Sequence, residues 1–135
     1  MARREIADAY RKIRDEYAVD TSEVLLGGFS SGGFASLDIV LSNTLPVAGF
    51  VVLCPAKPDT LLTAEYLRAV RDRGVRGTIL TTEMDGRLLD QKEMVEMFKA
   101  AGLQYQFMVT PDVGHWIPDD IGIRIDQGIA HIRSR

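Results

Sequence analysis

The apolar positions of this chain change their period repeatedly. From residue 2 to 17, Ile6, Ala9, Tyr10, Ile13 and Tyr17 recur at helical spacing among Arg, Lys, Asp and Glu, which predicts an amphipathic helix. Asp20-Thr21-Ser22 breaks it and leads into a strand over Glu23 to Gly27. Ala35, Leu37, Ile39, Val40 and Leu41 predict a largely buried helix from Gly32 to about Ser42, ended by Asn43 to Pro46. Val47 to Cys54 is an almost unbroken apolar run, the pattern of a central parallel strand covered on both faces. After the stiff loop Pro55-Ala56-Lys57-Pro58-Asp59, a helix capped by Asp59 or Thr60 runs to about Arg73, and Gly74 closes it. Val75 to Thr82 is a third strand, Leu88 to Ala101 a helix stopped by Gly102, Tyr105 to Thr110 a fourth strand, and Asp120 to about Arg133 a closing helix with Ile121, Ile125, Ile129 and Ile132 on one stripe.

One helix followed by four strand–helix units in strict alternation predicts an α/β domain. It has three layers: a four-stranded parallel sheet with helices on both faces. At 135 residues one domain over 1–135 is expected. A hydrophobic content of 46% with 26% charged residues argues against disorder. The net charge of −3 gives no reason to expect nucleic acid or an anionic membrane as a partner. Cys54 is the one cysteine, so no internal disulfide can form, and the charged N-terminal stretch has no leader-like apolar core. Both point to a cytoplasmic protein, and no apolar run reaches the roughly 18 residues of a membrane span.

The chemistry centres on Gly28-Phe29-Ser30-Ser31-Gly32, a G-x-S-x-G pattern between a predicted strand and a predicted helix. A serine on such a turn is held in a strained conformation with its hydroxyl lifted clear of the sheet. Flanking glycines are expected there because a Cβ would clash with the neighbouring strand or helix. The amide of Ser31, at the positive end of the following helix, is positioned to stabilise an anion beside Ser30. A serine hydroxyl needs a base, and histidine suits because its ordinary pKa of about 6.5 lies near neutrality. Of two histidines, His115 follows a strand end, whereas His131 sits in the last helix and reads as a surface residue. A carboxylate must then orient the imidazole. Asp85, just past the third strand and ahead of Gly86, is preferred. Glu83 reads as strand, Asp90 as a first-turn acid, and Asp112 is disfavoured by its closeness in sequence to His115. Phe29, Lys57, Met84, Trp116 and Ile117 are candidates to line a substrate site, with loop and rim packing as the plainer reading. No spaced Cys/His cluster suggests a metal. Phe29 and Phe34 occupy positions where a nucleotide-binding loop would have glycine and lysine, so no cofactor is expected.

The order Ser30, Asp85, His115 resembles that of the α/β-hydrolases. Tyr17 to Val24, Gly28 to Gly33, Asp85-Gly86 and Gly114-His115-Trp116 are similar to the corresponding segments of small serine esterases of the carboxylesterase/phospholipase and dienelactone-hydrolase type. The resemblance covers almost the whole chain and implies hydrolysis of a small carboxylic ester through an acyl-enzyme. It also implies that the family's N-terminal strands are missing, including the one whose loop supplies the second oxyanion donor. Two expectations follow from that truncation. The chain is a catalytically weak or idle half-fold if no second donor is present, and then serves as a binding or oligomerising module. The strand at Glu23 to Gly27 becomes a sheet edge, and the closing helix's isoleucine stripe is left partly uncovered, so a twofold homodimer is expected across them.

Overall fold

The computed structural model describes residues 2–134. Helix α1 spans Ala2–Glu16 and is followed by β1 (Leu25–Phe29), α2 (Ser31–Ser42), β2 (Gly49–Leu53), α3 (Ala64–Asp72), β3 (Arg76–Thr82), α4 (Leu88–Ala101), β4 (Tyr105–Thr110) and α5 (Ile121–Arg133). The four strands form one parallel sheet in the order β1-β2-β3-β4. The predicted α/β class and its alternation are therefore present. Among the described residues no helix is long and apolar enough to cross a membrane.

Two boundaries differ from the sequence reading for local reasons. Thr21–Glu23 forms a 3-10 turn instead of opening the strand, because the Asp20 carboxylate accepts from the Ser22 amide at 3.0 Å and the Ser22 hydroxyl at 2.6 Å. Strand β1 starts later but runs on through Gly28 and Phe29, which pair with Val52 and Leu53. Asp59–Leu61 is likewise a separate 3-10 turn, and α3 is capped by Thr63, whose hydroxyl accepts from the Tyr66 amide at 3.2 Å.

Strand alternation sorts the core onto two faces. Phe50 and Val52 of β2 and Ile79 of β3 join Leu37, Val40, Leu67, Val70, Met94, Val95 and Phe98 in one cluster beneath α2, α3 and α4. Helix α1 adds a smaller cluster through Ala7 against Ile39 and Leu45. On the other face Leu53, Cys54 and Leu80 pack with Phe29, Val51, Met108 and Ile121, and α5 crosses β2 and β3. The helices are thus divided unequally. With α5 alone on its face, an apolar cleft of about 390 Å³ stays open beside the edge strand β1, lined by residues that include Gly27, Val51, Ile121 and Ile125. Of the isoleucine stripe on α5, Ile132 is fully buried while Ile125 is 37% exposed.

The register sets one tight contact in the main core. Phe50 lies opposite Gly77, and a methyl group at Gly77 would come within 2.0 Å of the Phe50 ring. The ring in turn meets Phe98 edge-on at 6.2 Å. Gly77→Ala is expected to destabilise the fold by about 1–3 kcal/mol through overpacking. Phe50→Leu in the same background should return part of the loss, both read as denaturant midpoints at constant slope.

Candidate active site

Strand β1 delivers Gly28 and Phe29 to the carboxyl edge of the sheet, and α2 begins at Ser31, so the chain must reverse at Ser30. It does so with φ 57° and ψ −111° at Ser30, a conformation that costs about 1–3 kcal/mol for a residue with a Cβ. The turn is held on both sides: the Ser30 amide donates to Leu53 O at 2.9 Å, and its carbonyl accepts from the Phe34 amide at 3.0 Å. The Ser30 hydroxyl does not cap the helix. Ser31 is the first residue of α2, where helix geometry leaves the amide without an intrahelical acceptor.

The hydroxyl meets His115 instead. His115 Nε2 lies 2.9 Å from Ser30 Oγ, and His115 Nδ1 lies 2.7 Å from Asp85 Oδ2. With Asp85 ionised, Nδ1 carries the proton and donates to the carboxylate, leaving Nε2 to accept from the serine. The Asp85 side chain is 1% exposed and the His115 side chain 40%. Burial opposes ionisation of Asp85. Hydrogen bonds from His115, from the Arg87 amide at 2.7 Å and from Cys54 outweigh it and hold the carboxyl below the usual range. Phe29 stacks on the His115 ring at 5.2 Å and meets Trp116 edge-on at 6.4 Å, forming one wall. Ser30, Asp85, Gly86, Arg87 and His115 line an open depression of about 380 Å³.

The structure does not bring every candidate to this depression. Met84 and Trp116, each 67% exposed, flank it next to Asp85 and His115. Ile117 lines the neighbouring apolar cleft together with Phe29. Lys57 is elsewhere: its ammonium pairs with Asp59 at 3.2 Å and Glu93 at 3.1 Å and borders a different depression with Arg3, Phe34 and Asp38. His131 is not a plain surface residue. Its Nε2 is buried without a hydrogen-bond partner, and burial together with Arg76 holds its pKa below the ordinary value.

Two features had no signal in the residue pattern. Gln91, fully buried on α4, accepts from the Thr81 hydroxyl and donates to the Pro55 carbonyl at 3.1 Å, tying the loop after β2 to β3. Cys54, with φ 49°, sets a fully buried thiol beside Thr81, Thr82 and Asp85. Burial, reinforced by the Asp85 carboxylate, pushes its pKa up to about 11. Cys54, Asp85 and His115 offer ligand atoms within 4.8 Å of one another. However, the 2.7 Å between Nδ1 and Oδ2 is a hydrogen-bond length, shorter than the roughly 3.3 Å that separates ligands on a tetrahedral zinc with 2.0 Å bonds. The group as placed does not fit that ion.

This architecture has solved counterparts. An uncharacterized protein from Bacillus cereus superposes with a TM-score of 0.88 at 23% identity, over 98% of this chain and 42% of that one. The chain has the α/β-hydrolase fold. Dipeptidyl peptidase 4 of Porphyromonas gingivalis shares it at a TM-score of 0.75 and 12% identity, over 99% of this chain and 22% of that one. Esterase PE8 does so at 0.69 and 16%, over 96% of this chain and 58% of that one. The chain therefore spans less than two thirds of the length of each of these three α/β-hydrolase-fold structures. No protein-family model matches the sequence, and no curated protein matches it.

The glycines of the turn are not equivalent. A methyl at Gly28 would lie 2.3 Å from the Gly32 carbonyl carbon and 2.8 Å from the Gly33 nitrogen, all rigid backbone, whereas one at Gly32 would meet nothing within 4 Å. The expectation that both flanking glycines are sterically required thus holds for Gly28 and fails for Gly32, which faces open space. Gly28→Ala should lower stability by about 3 kcal/mol, at the upper end of overpacking costs. Gly32→Ala should leave the thermal midpoint unchanged or slightly raised, since alanine is the better helix former. A second outcome concerns acid. Because the folded Asp85 carboxyl titrates below its unfolded value, its contribution is present above about pH 4 and is lost as the pH falls through the folded value. Denaturant titrations at stepped pH should show stability falling more steeply below about pH 4 in the wild type than in Asp85→Asn.

Proposed function

We propose that the chain is a serine hydrolase acting on a carboxylic ester through an acyl-enzyme. The observation that carries this reading is the unbroken run of contacts from Ser30 Oγ to His115 Nε2 at 2.9 Å and from His115 Nδ1 to Asp85 Oδ2 at 2.7 Å. Ser30 Oγ attacks the carbonyl carbon while its proton passes to His115 Nε2. The resulting imidazolium is stabilised by the buried Asp85 carboxylate, and the Ser31 amide at the start of α2 donates to the developing oxyanion. His115 then returns the proton to the departing alcohol. A water activated by the same imidazole releases the acid and restores Ser30.

Of the three structures compared above, one is an esterase and one a dipeptidyl peptidase, so the fold is compatible with either acyl group. The ester is favoured on chemical grounds. An ester has a better leaving group than an amide and asks less of the oxyanion site, where the Ser31 amide is the one donor identified. Removing a single such donor elsewhere typically costs about 100- to 1,000-fold in rate, so a modest rate belongs to the proposal.

Hydrolysis of p-nitrophenyl acetate and covalent labelling by a fluorophosphonate probe provide the test. Both are expected in the wild type and absent in Ser30→Ala, and Asp85→Asn should lower kcat by about 10,000-fold. Ester hydrolysis that persists in Ser30→Ala would sink the assignment of the nucleophile. Turnover of a p-nitroanilide at a rate matching the ester would move the substrate class from esters to peptides.

A further inference from the structure

His115 stands at the centre of a three-residue turn. The Trp116 amide donates to the Gly114 carbonyl at 2.7 Å, an i to i+2 closure, so the direction in which the imidazole leaves the backbone depends on where that carbonyl is held. The same carbonyl accepts a second hydrogen bond, at 2.6 Å, from the Thr82 hydroxyl. Thr82 is the last residue of β3, is completely buried, and lies three positions before Asp85. One strand end therefore carries the carboxylate directly and grips the histidine turn through a side chain.

Apart from the direct His115–Asp85 bond, other ties between the two segments among the described residues run through groups that stop short of His115. The Glu83 amide donates to Thr110 O at 2.8 Å, the Met84 amide to Val113 O at 2.9 Å, and the Asp112 amide to Glu83 Oε1 at 3.0 Å. The Thr82 bond is the next in this series and the one that reaches the residue adjoining the histidine. Its geometry is well determined by chemistry. A threonine is restricted at χ1 by its branched Cβ, and the hydroxyl has a single proton, which is committed to Gly114. The Cys54 sulfur, 3.7 Å from Thr82 Oγ1, is the more distant and weaker acceptor and does not draw that proton away from Gly114.

We propose that Thr82 is a positioning residue for His115, its buried hydroxyl anchoring the turn that presents the imidazole to the strand end that presents Asp85. The proposal rests on the hydrolase reading of Ser30, His115 and Asp85. Its physical content is that the imidazole and carboxylate move together. Without the hydroxyl the Gly114 carbonyl loses its tether, the turn shifts, and the 2.7 Å and 2.9 Å contacts of the imidazole no longer coexist. Misplacement of a catalytic group by about 1 Å costs on the order of 100-fold in rate.

The test compares Thr82→Val, which keeps the branched shape and removes the donor, with Thr82→Ser, which keeps the donor. Thr82→Val should lower kcat for p-nitrophenyl acetate and the rate of fluorophosphonate labelling by about 10- to 100-fold, with KM within about twofold of wild type. Thr82→Ser should recover both rates to within about threefold of wild type. The downfield imidazole N–H proton signal of His115, followed by NMR, should be present in wild type and Thr82→Ser and broadened or lost in Thr82→Val. Should Thr82→Val not fold, Thr82→Ala takes its place in the comparison. A Thr82→Val protein with wild-type kcat and an intact signal, or a Thr82→Ser protein as impaired as Thr82→Val, would overturn the proposal and leave Thr82 as strand packing. If the wild type neither turns over nor labels, the hydrolase reading fails. The NMR arm then still decides whether Thr82 holds His115 in place.

Discussion

The site depends on one close approach of backbone to backbone. Gly28 lies against the Gly32 carbonyl and the Gly33 nitrogen with no room for a Cβ between them, and this lets α2 start immediately beyond β1. With the strand end and helix start pressed together, Ser30 has no relaxed conformation available and adopts φ 57°. The strain is sustained because the amide and carbonyl of Ser30 are both used, one on the end of β2 and the other in the first turn of α2. What results is a hydroxyl that points away from the helix it precedes and towards the loop after β4. A wider turn would let the serine cap α2, as serines at that position commonly do.

The second organising element is the carboxyl end of β3. Thr81 points towards α4 and meets Gln91, while Thr82 points to the opposite face and meets Gly114. Asp85 follows after a tight turn closed by its amide on Thr82 O at 3.1 Å. Thr81, Thr82, Gln91 and Asp85 are each 6% exposed or less, and each would be expensive to bury unpaired. Paired, they join three loops that share no sequence neighbourhood: Pro55 through Gln91, Gly114 through Thr82, and the Arg87 turn through the Asp85 carboxylate. The ionised Asp85 and the protonated Cys54 thiol belong to the same economy. Burial disfavours both charges: hydrogen bonds outweigh it at the carboxyl, which ionises, whereas at the thiol burial is the largest effect and the proton stays.

The unequal layers explain the surroundings of the site. Helices α2, α3 and α4 cover one face of the sheet continuously, whereas α5 covers β2 and β3 on the other. Phe29, from the last position of β1, closes the apolar cleft on one side and braces the His115 ring on the other. The depression over Ser30 is open, and the Ser30–His115 contact is exposed to water. That arrangement admits water readily and gives little exclusion of solvent around any charge formed at Ser30.

How much of this was legible in the residues follows from the range of the forces involved. Period-two and period-3.6 apolar patterns are local, so the alternating α/β order, the four strands and the helix stops at Asn43 and Gly102 could be read directly. The roles suggested for Ser30, Asp85 and His115 were readable as types at strand ends, because parallel strands deliver their following loops to one edge. Where a short polar side chain competes locally with the backbone, pattern failed: Asp20 turned the expected strand start into a 3-10 turn, and Thr63 displaced the cap expected at Asp59 or Thr60. Contacts between distant segments were beyond it altogether. Nothing in the spacing distinguishes Gly28, pressed on backbone, from Gly32, facing open space, or Lys57 turned into ion pairs from a lysine facing the site. Thr82 reads as one more β-branched strand residue. Only the register of β3 against β4, and the course of the loop beyond β4, bring its hydroxyl to Gly114. The apolar pattern determined which elements form. Which side chains meet at their ends was decided by strand register and close packing, which depend on residues tens of positions apart and leave no periodic trace.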